Sequence, residues 1–172
     1  LGDSLTAGLE CREEDLWTGI LNVRSPHCYV NKGIAGDTTG GMLSRLYRDA
    51  IETDGKTVIL MGGGNDFIME HTVEAVQANL MAMVHQIFFY RKIPVIGVPM
   101  LLDIDHIRDD WQGITDFSVV NDKICRYRQW IFRFAKTFHT DILDFYGAFE
   151  KIGSKEYAHY FSDGVHPNRN GN

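Results

Sequence analysis

Thr57-Val58-Ile59-Leu60-Met61 is an unbroken apolar run that stops at Gly62-Gly63-Gly64-Asn65-Asp66. Its length suits a strand rather than a helix, and it lacks the alternation of a half-exposed strand. A strand apolar on both sides belongs inside a parallel sheet with helices on each face. Ile93-Pro94-Val95-Ile96-Gly97-Val98 is a second run of the same kind. Between the two, Val73, Val76, Leu80, Val84, Ile87 and Phe88 recur at helical spacing, which predicts a helix over 72–91. Strand, helix and strand in that order predict a right-handed crossover and an α/β fold.

Working outward, 15–24 reads as a short helix with Leu16, Ile20 and Val23 on one face. Glu13, Glu14 and Asp15 sit at its positive end. Cys28 to Val30 reads as a short strand, and 40–51 as a helix capped by Thr39 with Met42, Leu43 and Leu46 inward. On the other side, a polar loop runs from Pro99 to about Gly113, then a helix over 114–138 and a strand at Asp141-Ile142-Leu143-Asp144. Nothing resembles a repeat, a low-complexity tract or a linker, so 1–172 reads as one domain. Ligands of such sheets bind beyond the carboxyl ends of the strands.

A chain of 172 residues, 44% hydrophobic, can bury a core of its own. A net charge of -6 argues against nucleic acid, whose binders present a basic face. No apolar run is long enough to span a membrane. Cys11, Cys28 and Cys125 are odd in number and lack C-x-x-C spacing, so they read as reduced thiols. That favours a cytoplasmic location, although a chain that does not start with Met leaves room for a leader.

Four short blocks carry the chemistry. Gly2-Asp3-Ser4-Leu5 opens the chain and Asp163-Gly164-Val165-His166-Pro167 nearly closes it. A serine nucleophile needs a base to take its proton, and the base needs a carboxylate to hold its tautomer. Asp163 and His166, three positions apart, can lie on one side of a single turn. Asn31-x-Gly33-x-x-Gly36 and Gly63-x-Asn65-Asp66 each follow an expected strand. Together the blocks resemble the GDSL family of SGNH hydrolases, which are serine esterases and lipases, and the likeness covers almost the whole chain.

The resemblance implies a flavodoxin-like three-layer α/β/α sandwich on a parallel sheet. It implies Ser4 as nucleophile, His166 as general base and Asp163 as its orienting acid. It also implies an oxyanion hole from the backbone N–H groups of Ser4 and Gly36 and the side-chain amide of Asn65, with Asp3 and Asp66 fixing the loops. No metal and no organic cofactor is implied, and the partner is a small-molecule ester. Thr6 stands where a G-x-S-x-G elbow has its second glycine, which sets the chain apart from the α/β-hydrolases. Asp37-Thr38-Thr39 resembles a stretch of the thioesterase I-like branch. The motifs specify chemistry at a carbonyl and leave open the groups attached to it.

Other readings compete locally. Gly62-Gly63-Gly64, with Lys32 as the neighbouring cation, is compatible with a phosphate- or nucleotide-binding module of the same fold, though it lacks P-loop spacing. Asp103-Ile104-Asp105-His106 offers metal-type ligands but reads as a solvated loop. In the same loop, Leu101, Leu102 and Trp111 are candidates for a substrate-binding wall. The histidines outside the four blocks read as structural. Family members place a strand before Gly-Asp-Ser-Leu and a helix after His-Pro. Both are expected to be missing here from a chain trimmed at its two ends, leaving a strand-wide gap between Cys28–Val30 and Thr57–Met61.

Overall fold

The computed structural model describes residues 1–9 and 11–172, without the side chains of Ser154 and Lys155. Three parallel strands form its sheet in the order β1 (Thr57–Met61), β2 (Ile93–Val98), β3 (Asp141–Asp144). Thr57 pairs with Ile93 and Met61 with Gly97, while Val95 pairs with Asp141. The residues of Leu1-Gly2 extend the order beyond β1. Leu1 N donates to Ile59 O, Met61 N donates to Leu1 O, and Gly2 bridges in parallel to both Met61 and Gly33. The backbone therefore runs from Gly33 through Gly2 to β1, β2 and β3, with Leu1-Gly2 in the space where a gap was expected.

Cys28–Val30 is not a strand. The Asn22 side chain brackets Tyr29, donating to its carbonyl at 2.9 Å and accepting from its N–H, and so takes the groups a strand neighbour would use. Val30 is exposed, and the parallel bridge falls three residues later, at Gly33.

The helices form because their apolar faces have a sheet to cover. In α5 (Val73–Phe89) and α6 (Phe117–Phe138), Val76, Leu80, Ile87, Ile124 and Ile131 are buried almost completely. With α3 (Thr39–Leu46) and α4 (Gly64–Ile68), they pack on the face carrying Val58, Leu60, Ile96 and Val98. The opposite face, which carries Met61, is covered by Leu5 of α1 (Ser4–Ala7), Phe149 of α7 (Phe145–Glu150) and Tyr157. Trp17, which opens α2 (Trp17–Arg24), packs on that layer. These are helices on both faces of a parallel sheet, a doubly covered α/β fold.

The caps account for the helix starts. Thr72 accepts from Ala75 N, and Asp116 accepts from the N–H groups of Ser118 and Val119. At α3 the cap is Thr38, which accepts from Gly41 N, because Thr39 is engaged elsewhere. The last turn of the expected helix relaxes into a π-turn, Tyr47–Ile51. Val23 points to solvent although its spacing matches Leu16 and Ile20, since α2 begins only at Trp17 and leaves Leu16 as its cap. Among the described residues, Cys11, Cys28 and Cys125 form no disulfide with one another. Among the described residues no helix is long and apolar enough to cross a membrane.

Candidate active site

Ser4 is the first residue of α1, immediately beyond the Leu1-Gly2 segment beside β1. The Asp3 side chain caps this short helix by accepting from Leu5 N at 2.9 Å. From the far end of the chain, a turn at 163–166 comes to meet it. Asp163 Oδ1 accepts from the N–H groups of Val165 and His166 at 3.0 and 2.8 Å, which folds the turn around its own carboxylate. Gly164 within that turn has φ +83°, and a Cβ there would collide with the carbonyls of Asp103 and His106.

Asp163 Oδ2 lies 2.7 Å from His166 Nδ1, and His166 Nε2 lies 2.9 Å from Ser4 Oγ. A carboxylate at Nδ1 holds the proton there, which leaves Nε2 as an acceptor for the serine hydroxyl. Ser4 and His166 are both buried. Burial pushes the Asp163 carboxyl up, but hydrogen bonds from the His166 ring and from two backbone N–H groups outweigh it and hold the acid below its ordinary range. Asp163 therefore stays charged beside the imidazole.

The loops after Gly33 and β1 are tied to each other. Asn65, in α4, donates from Nδ2 to Asp37 O at 2.9 Å. Asp66 accepts from both Thr39 N and Thr39 Oγ1, and Asn79 donates to the same hydroxyl. Gly36 sits between them at φ +77° with open space where a side chain would be. Among the described residues, nothing accepts from its N–H. The reserved glycine conformation thus presents a free donor at the same edge of the sheet as Ser4.

Asp3 is buried against Asp66, and desolvation pushes its pKa up to about 7. The unfolded chain releases this proton near 3.8, whereas the folded chain keeps it until about 7. The native state then binds more protons across that window, so stability falls as pH rises through it. Asp3→Asn keeps an acceptor for Leu5 N and removes the titration. Thermal melts between pH 4 and 7 should show a flatter decline for the variant than for the parent. Parallel curves would remove Asp3 as the source.

Over 103–113 the loop after β2 is largely exposed, as its sequence suggests, with Asp103 and Ile107 as buried exceptions. Asp103 is buried and its carboxylate takes His106 Nδ1 at 2.9 Å. Asp103 N donates to Gly164 O, and Arg108 N donates to Asp163 O, so the loop clasps the 163–166 turn. Trp111 reaches His166 edge-on at 5.7 Å between centroids, and the Arg108 guanidinium lies over the Trp111 ring at 5.5 Å. Leu101 is half-buried between the two core clusters. Leu102 leaves the expected wall altogether: Asn121 holds its backbone at both N–H and C=O, and its side chain enters the main core.

The glycines after β1 do not form an open phosphate cradle. Met42 closes over Gly62, and Tyr127 and Val76 close over Gly63. Lys32 contributes its carbonyl to Arg45. Arg45 itself carries no motif and was invisible as a site residue in the sequence, yet it is buried and bonded to Gly2 O, Lys32 O, Asp37 and Asp49.

No curated protein matches the chain. Solved structures do. A G-D-S-L family protein described as lipolytic, from Desulfitobacterium hafniense, is 25% identical with a TM-score of 0.75, over 99% of this chain and 90% of that one. A member of the lipolytic protein G-D-S-L family from Veillonella parvula is 20% identical with a TM-score of 0.80, over 99% and 88%. Est24, a carbohydrate acetylesterase from Sinorhizobium meliloti, is 18% identical with a TM-score of 0.77, over 99% and 90%. These likenesses extend across both layers and the sheet. The model of the GDSL-like lipase/acylhydrolase family matches residues 1–172 in full, so the chain belongs to that family and is a hydrolase.

Proposed function

We propose that the protein hydrolyses carboxylic esters through an acyl-enzyme on Ser4. The observation that carries this reading is the unbroken line from Asp163 Oδ2 through His166 to Ser4 Oγ, with steps of 2.7 and 2.9 Å. His166 Nε2 takes the hydroxyl proton as Oγ adds to the ester carbonyl. Negative charge gathers on the carbonyl oxygen, where the N–H groups of Ser4 and Gly36 and the Asn65 amide meet it. His166 then protonates the departing alcohol. Water repeats the sequence on the acyl-enzyme and releases the acid. Trp111 borders this path, and with the half-buried Leu101 of the same loop it is the proposed apolar wall for the acyl or alcohol part.

A fluorophosphonate probe tests the nucleophile directly: it should label the parent on Ser4 and leave Ser4→Ala unlabelled. Labelling elsewhere, or none, ends the reading. A panel of p-nitrophenyl esters of graded acyl length, run beside acetylated sugars and acyl-CoA, then ranks the acyl groups the wall accepts.

Asn65 should be separable from the nucleophile. Its amide spends one N–H on Asp37 O and keeps the other for the substrate oxygen. Asn65→Ala should lower kcat by about 10²–10³, as expected for one lost oxyanion donor, with little change in KM. Steady-state kinetics with unaltered kcat would take Asn65 out of the hole.

A further inference from the structure

We propose that Arg45 is the positioning residue that sets the oxyanion hole, an inference that rests on the ester-hydrolase reading above. The three donors of that hole come from three separate segments. Ser4 follows Gly2, Gly36 follows the Lys32-Gly33 stretch, and Asn65 follows β1. One guanidinium joins all three. Its Nη2 donates to Gly2 O at 2.9 Å, two residues before the nucleophile. Its Nη1 donates to Lys32 O at 2.9 Å, on the segment leading to Gly36. Its Nε pairs with Asp37 Oδ2 at 2.7 Å. Asp37 follows Gly36 directly, and its carbonyl is the group that receives Asn65 Nδ2.

Two features show that this is more than an anchor for α3. The helix already has one in Met42 and Leu46, which are buried in the main core. Two polar contacts of Arg45 fall instead on the backbone carbonyls of Gly2 and Lys32, and a third on the carboxylate of Asp37, whose carbonyl holds Asn65. The geometry also requires arginine. A planar fork can serve two carbonyls and two carboxylates in fixed directions, whereas an ammonium is a single point of charge. Asp37 and Asp49 balance the cation in this buried place, with Nη1 also 2.9 Å from Asp49 Oδ2.

The test is a double-mutant cycle between Arg45→Lys and Asn65→Ala, read as kcat and KM on p-nitrophenyl acetate. Arg45→Lys keeps the charge and loses the fork. It should lower kcat by about 10–10², the scale on which a misplacement of about 1 Å acts, and leave KM within about twofold. In that background Asn65→Ala should cost less than tenfold, because the donor it removes is already out of place. A role confined to holding the fold would lower the melting temperature and leave the Asn65 penalty unchanged. Equal Asn65 penalties in the two backgrounds, or a folded Arg45→Lys with parental kcat, overturn the proposal. If Arg45→Lys does not fold, Asp37→Asn takes its place in the cycle. It loses the Nε ion pair and keeps the carbonyl that receives Asn65, and the same coupling is expected. Fluorophosphonate labelling of the parent separates the two levels. A parent labelled at Ser4 and slowed by Asn65→Ala, but uncoupled to Arg45, sinks only this inference. An unlabelled parent sinks the ester-hydrolase reading beneath it.

Discussion

Ser4→Ala and His166→Ala should each lower kcat by about 10⁶, and the double variant should fall no further. Oγ and Nε2 share one proton across 2.9 Å, so either atom is idle without the other. Activity that remains in both variants comes from the donors that still face the carbonyl oxygen. The measurement is kcat on a p-nitrophenyl ester, with circular dichroism to confirm that the fold persists. Losses that simply multiply in the double variant would mean that serine and histidine act in separate steps, contrary to the mechanism.

Asp163→Asn should cost about 10⁴ in kcat, on the precedent of tautomer reversal in serine hydrolysis. The asparagine oxygen can still take the two backbone N–H groups that close the 163–166 turn, so the loop survives. Its amide, however, presents N–H where Oδ2 now stands 2.7 Å from Nδ1. The imidazole must then accept at Nδ1 and carry its proton on Nε2, facing Ser4 with nothing to receive a hydroxyl proton. An Asp163→Asn variant within tenfold of the parent would show that the carboxylate serves only the turn.

The sheet was legible because burial on two faces leaves a plain mark. Thr57–Met61, Ile93–Val98 and Asp141–Asp144 have the bounds that their composition suggests, and the two long helices differ by at most three residues at an end. Errors arose where a local competitor was stronger than the pattern. Asn22 captured the backbone of Tyr29, so Val30 faces solvent in place of a strand at Cys28–Val30. Asp66 captured Thr39, and the cap passed to Thr38. Asn121 captured Leu102. These contacts join residues 7, 27 and 19 positions apart, and periodicity does not carry them. At the site, the blocks around Ser4, Gly36, Asn65 and Asp163-x-x-His166 could be read because the chemistry requires particular residue types. Arg45 could not, since an arginine at the polar end of a helix looks like any solvated charge. Asp103 with His106 repeats the D-x-x-H spacing of the reactive pair, and only the structure reveals that its acid is buried.

The separation of 162 positions in sequence between Ser4 and His166 has a consequence for synthesis. Chains grow at about 5–20 residues per second, so Ser4 is joined to the chain roughly 8–30 s before His166. Through that interval the nascent polypeptide carries a serine with no partner to take its proton. On that reading, a chain released before His166 is added is silent toward esters. On the proposed mechanism, turnover begins only when the 163–166 turn docks, which makes activity a reporter of that long-range contact.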